Sequence, residues 1–144
     1  YQQQGKSATQ LFDIAFDPEI PGKSVEWRRL EATNSELFGK FDLGKEPDRV
    51  GYVKTSIWSD KEQDARLAIG SDDGIKVWLN GEVVFANNAT RGFKVDEDIV
   101  KIELREGWNP LMIKVTQGGG DWLICCKVQA PSGEVLPGLK FEAK

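Results

Sequence analysis

The sequence predicts an all-β fold, a β-sandwich or jelly roll of about eight or nine strands. Three observations predict it. Short runs alternate apolar and polar residues with a period of two. Clusters of Gly, Pro, Asn and Asp separate the runs, as turns require. No long stretch carries the apolar spacing of three and four residues that an amphipathic helix needs.

LFDIAF (11–16) opens the series, with Phe12, Ile14 and Phe16 alternating against Leu11, Asp13 and Ala15. Similar alternation predicts strands at VEWRRL (25–30), RVGYVKTSIW (49–58), ARLAIG (65–70), IKVWL (75–79) and EVVFA (82–86). IVKIEL (99–104), LMIKV (111–115) and WLICCKV (122–128) complete the set. Turn clusters such as DPEIPGKS, GKEPD, SDDG, ANNATRG, REGWNP, TQGGGD and APSG lie between them. A helical turn is expected only around Asp60 to Asp64, and no tandem repeat breaks the pattern.

The central hairpin can be read in register. Asn80-Gly81 signals a type I′ turn, because both turn residues need positive φ and these two tolerate it best. A two-residue loop places Leu79 opposite Glu82, Trp78 opposite Val83, Val77 opposite Val84 and Lys76 opposite Phe85. One face then holds Ile75, Val77, Leu79, Val84 and Ala86; the other holds Lys76, Trp78, Val83 and Phe85. Both faces carry apolar groups. Either another element covers Trp78, or Trp78 belongs to a ligand platform.

Composition narrows the function. A chain of 144 residues suits one domain with its own core, and its ends, YQQQGKS and FEAK, suggest a module cut from a larger protein. A net charge of −4 disfavours nucleic acid as a partner. The apolar runs fall far short of the ~20 residues that span a bilayer, and no signal-peptide pattern is present, so no membrane partner is expected. Cys125 and Cys126 are adjacent on an expected strand, where their side chains point to opposite faces and no mutual disulfide is expected. The compartment stays open on that evidence.

The chain contains no histidine, which removes the commonest general base, the usual zinc ligand and every histidine-dependent triad. A carboxylate pair could hydrolyse a glycoside, but none has a sequence signature here. Gly118-Gly119-Gly120 lacks the Lys-Ser/Thr of a phosphate loop and precedes a strand. The expectation is a protein without catalytic residues.

GSDDGIKVWLNGEVV, IELREGWNPLMIKV and GGGDWLICCKV resemble the galactose-binding-like jelly-roll modules of bacterial polysaccharide-degrading proteins. Similar Asp-Asp-Gly and Leu-Asn-Gly pieces occur in glycoside hydrolase sugar-binding domains and protective-antigen-type lectin domains. The resemblance covers about residues 50–130. It implies a non-catalytic carbohydrate-binding module, secreted or at the cell surface, that holds a linked degradative enzyme near its polysaccharide. Many such modules are architectural, so a β-sandwich packed against a neighbouring domain is the second reading.

The resemblance also puts Asp72 and Asp73 in the turn that feeds the central strand, with Gly74 supplying a φ closed to other residues. Three readings of these acids stay open: turn-building, contact with a sugar hydroxyl, and calcium binding. No Asp-x-Asp-x-Asn loop with a following Glu supports a structural calcium ion, and no cofactor is expected. Among the five tryptophans, Trp108 and Trp122 read as core, Trp58 as a cap on the sandwich beside Tyr52, and Trp27 and Trp78 as candidate sugar platforms. If Leu67, Val77 and Ile113 point inward, then Arg66, Lys76 and Lys114 point the opposite way, and Lys127 could join them. An ordinary solvated face explains that pattern; a basic, Trp-bearing face for an acidic polysaccharide also explains it. The expected binding residues are therefore Trp78, Lys76, Arg66, Lys114, Trp27, Asp72 and Asp73.

Overall fold

In a computed structural model, which describes residues 1–29, 40–44 and 46–143, the alternating runs pair into two antiparallel sheets. The strands are β1 (Lys40–Gly44), β2 (Arg49–Ser59), β3 (Gln63–Ser71), β4 (Ile75–Leu79), β5 (Glu82–Asn87), β6 (Asp98–Leu104), β7 (Gly107–Gln117), β8 (Trp122–Gln129) and β9 (Leu139–Glu142). One sheet has the order β1-β8-β3-β6 and the other β5-β4-β7-β2-β9. Every connection except the β4–β5 hairpin changes sheet. Each strand can therefore bury one face against the opposite layer, which is the all-β sandwich expected from the sequence.

The inward phase is the predicted one. Ile57, Leu67, Ile69, Ile75, Val77, Leu111, Ile113, Val115 and Ile124 are buried in a single cluster with Trp122 and Cys126. Trp122 packs its six-membered ring against Gly51, where an added Cβ would lie 2.9 Å from the indole. Cys125 and Cys126 are both buried and unbonded, because both faces of β8 are covered. The longest ladder joins β2 to β7, from Arg49 opposite Gln117 to Ser59 opposite Gly107 without a break.

The hairpin turns at Asn80 and Gly81, with φ of 52° and 81°. Leu79 faces Glu82 and Trp78 faces Val83 as expected. The register then slips. Val77 pairs with Phe85 rather than Val84, and Lys76 with Ala86. This bulge sets two residues of β5 against one of β4, so Val84 and Phe85 both pack on the core while Ala86 is exposed.

The first two expected strands are absent. LFDIAF instead ends a short helix, α1 (Ala8–Phe12), followed by a 3₁₀ turn at Asp17–Glu19. Gln10 Oε1 accepts the Ser7 backbone N–H at 3.0 Å, the returning half of a Ser-x-x-Gln capping box. Leu11 and Phe12 are consecutive and both buried, which one strand face cannot achieve but one helix face can. Val25 to Arg29 form no strand, because they meet no partner strand among the described residues; Leu30 lies outside those residues. Asp60 and Lys61 make a bend rather than a helical turn, closed by Ser59 Oγ donating to Lys61 O at 2.6 Å, and Gln63 and Asp64 already belong to β3. The short strands β1 and β9 had no counterpart in the sequence reading; both are sheet edges.

Candidate functional site

Four of the five tryptophans gather at the outer face of the five-stranded sheet. Trp58, Trp78 and Trp108 point outward from β2, β4 and β7, and Trp27 lies against Lys54 of β2. Register orders them into rows. Trp58 lies opposite Trp108, with ring centroids 5.5 Å apart, and both rings are half-buried.

A second row crosses four strands. Val83 faces Trp78, Trp78 faces Met112, and Met112 faces Lys54. With strands about 4.8 Å apart, this row spans roughly 14 Å. Trp27 closes the far end: Lys54 Nζ is 4.5 Å from its ring centroid, and the residue is 36% exposed. Lys76 flanks the near end, with Nζ 5.2 Å from the Trp78 centroid. Neither Lys54 nor Lys76 forms an ion pair among the described residues. Val83 itself is 51% exposed, so the edge of the row is open to solvent.

Lys114 does not join this row as a ligand group. It points outward in phase, yet it is 0% exposed, because α1 and the 3₁₀ turn lie over it. Its ammonium donates to Ile14 O and Glu19 Oε2, each at 2.7 Å. The rings of Phe12, Phe16 and Tyr52 surround it at 5.7 to 5.9 Å. Burial pulls its pKa below the ordinary lysine value, and the Glu19 contact opposes that pull. Tyr52 O–H also donates to Glu19 Oε2, and burial together with that contact pushes the phenol up.

Arg66 and Lys127 are on the wrong sheet. β3 and β8 belong to the four-stranded layer, so their outward side chains leave from the opposite side of the sandwich. Arg66 Nε donates to Gln129 Oε1 at 2.9 Å, and Lys127 reaches Asp96 at 3.4 Å. Strand phase gives the side of a sheet and says nothing of which sheet a strand joins.

Asp72 and Asp73 sit at the start of β4, at the other end of that strand from Trp78. Asp73 is 6% exposed and builds the turn: Oδ1 accepts the Arg91 N–H at 3.0 Å, and Oδ2 accepts the Gly118 N–H at 2.7 Å. The Arg91 guanidinium then donates to Ser71 Oγ at 2.9 Å and to Asp98 at 2.6 Å. Arg91 carried no signal in the sequence, since its partners are 7 to 20 residues away in separate segments. Asp72 is half-buried; burial first, then Asp73 and Asp121, push its carboxyl up to about 6. Gly74 is required by close approach, since a Cβ there would lie 2.8 Å from Thr116 Oγ1. It has no positive φ, contrary to the expectation. Among the described residues, no three Asp, Glu, Cys or His side chains are grouped to hold a metal ion.

A cleft of about 960 Å³ lies elsewhere, along the β5 and β6 edges. Its lining mixes Glu62, Asp64 and Glu103 with Arg66, Lys101 and Arg105, and contains no aromatic ring. A flat pyranose needs a ring to lie on more than it needs depth. The Trp78 row offers that and the cleft does not. No family model matches the chain, and neither a curated protein nor a solved structure matches it.

Proposed function

We propose that this chain is a non-catalytic carbohydrate-binding module whose sugar lies on the outer face of the five-stranded sheet. One observation carries the reading: Val83, Trp78 and Met112 form a continuous apolar floor, with Trp27 beyond it and Lys54 and Lys76 at its margins. The C–H face of a pyranose packs on an indole, and its hydroxyls need polar groups at the rim. The row supplies both. In this reading the module is secreted or at the cell surface, and it raises the local concentration of polysaccharide at a linked catalytic domain.

Affinity electrophoresis over a panel of neutral and acidic polysaccharides tests the reading. A retarded polymer should lose about 1 to 3 kcal/mol of binding with Trp78→Ala, the loss expected when a central aromatic contact is removed. Unchanged retardation of a folded Trp78→Ala variant removes this face as the site.

The second reading, an architectural sandwich, has its own observation. Val83 and Ile99 are 51% and 48% exposed on β5 and β6, the two edge strands that flank the cleft. A partner domain seated along these edges would cover them. Absence of any retarded polysaccharide, together with self-association of the isolated chain through this edge, favours it.

A further inference from the structure

We infer that the ligand is a linear polyanionic polysaccharide, held by two Trp–Lys units, Trp78 with Lys76 and Trp27 with Lys54. The inference rests on the carbohydrate reading above and adds the charge class and chain form of the ligand.

Among the described residues, four lysines point outward on this sheet, Lys140 beside the Trp58–Trp108 pair and three at or near the Trp78 row, and the treatment of those three differs. Lys114 is neutralised, with Glu19 at 2.7 Å, and the other acid that bears on it, Asp13, acts in the same direction. Lys54 and Lys76 have no acidic partner among the described residues, in a chain whose net charge is −4. Each ammonium instead rests near an indole, at 4.5 Å and 5.2 Å from the centroid. A cation–π contact positions an ammonium without cancelling its charge. The result is an apolar ring with an uncompensated cation beside it, made twice.

An acidic sugar has the complementary pair of features on one ring. Its C–H face suits the indole, and its carboxylate or sulfate suits the ammonium, which a neutral sugar would leave without a counter-charge. Spacing sets the chain form. Lys76 and Lys54 are separated by two strand intervals and one two-residue step, which places their Cα atoms about 12 Å apart. That exceeds one pyranose ring. A ligand that satisfies both units is a chain with anionic groups on more than one residue.

The test uses matched polymers and the whole chain. Isothermal titration compares polygalacturonate with the same polymer after its carboxylates are reduced to alcohols, and a sulfated galactan with its desulfated form. The anionic member of one pair should bind about tenfold tighter or more, and which pair responds assigns carboxylate or sulfate. Lys54→Gln and Lys76→Gln should each weaken that binding about threefold to tenfold, with wild-type melting behaviour, and raised salt should weaken it in the same direction. Equal affinity for charged and uncharged members, with Trp78→Ala still lossy, overturns the polyanion inference and leaves the platform standing. Preference for the anionic member that ignores both lysine variants also overturns it, because the charge is then read elsewhere. Binding to neither pair overturns it as well, and the neutral panel then decides the platform by itself.

Discussion

Lys114 and Glu19, separated by 95 residues, meet at 2.7 Å beneath the N-terminal helix. The contact ties the first twenty residues onto the outer face of the five-stranded sheet and closes that part of it to ligands. A buried ammonium with one acidic partner becomes an uncompensated charge when the partner is removed. Glu19→Ala should therefore cost about 3 kcal/mol of stability by urea denaturation. Lys114→Met should cost less, since Glu19 keeps the Tyr52 O–H and Met packs among the same rings. The double variant should return close to wild type. Additive losses would show that the pair is not coupled.

Asp72 gives the stability a pH dependence of known sign. Its carboxyl is raised from 3.8 to about 6 in the folded chain, chiefly by burial. Below pH 3.8 both folded and unfolded states hold the proton. Between 3.8 and about 6 the folded state holds it more tightly, so stability falls as pH rises through this window. Solvent screening at a half-buried site keeps the effect on the order of 1 kcal/mol. Asp72→Asn should flatten the melting profile between pH 4 and 7 relative to wild type. Parallel profiles would count against the raised carboxyl.

Two glycines should fail for different reasons. Gly81 has φ of 81° with nothing near its Cβ position, so Gly81→Val suffers backbone strain alone, about 1 to 2 kcal/mol. Gly81→Asn should be nearly silent, because Asn tolerates that region. Gly74→Ala meets Thr116 Oγ1 at 2.8 Å, an overpacking cost of about 1 to 3 kcal/mol. Thr116→Ala should recover part of the Gly74→Ala loss and none of the Gly81→Val loss. Thermal melts of the three glycine variants and of the two double variants carrying Thr116→Ala separate the two causes.

The cysteines should be silent until the fold opens. Burial raises both thiols above their ordinary value, which leaves little thiolate, and neither side chain is accessible. Iodoacetamide should label neither in the native chain and both in unreduced denatured chain. A native thiol reacting at the rate of a free one would contradict the packing of β8.

Much of this molecule was legible because it depends on near neighbours. Asn80-Gly81 sets its own turn, and the shared inward phase of Val77 with Leu79, and of Ile113 with Leu111 and Val115, follows from the pleat of each strand. The Ser7–Gln10 capping box is also local, but the apolar alternation of LFDIAF predicts a strand where the structure ends a helix. The bulge at Val84 was not legible, because a slipped register costs little that the two strands alone reveal.

The candidate site divides along the same line. Sequence alone determined that Trp78 and Lys76 share one strand and that Lys114 points away from the core. Only the tertiary structure decided that β2 and β4 flank β7, bringing Lys54 and Met112 into the Trp78 row. It alone sent Arg66 to the opposite layer and laid α1 over Lys114. The physical reason is range. Periodicity and turn chemistry act over a few residues and are written in consecutive letters, whereas strand order and the covering of a face arise from contacts as distant as Glu19 and Lys114, where only the packed chain brings the partners together.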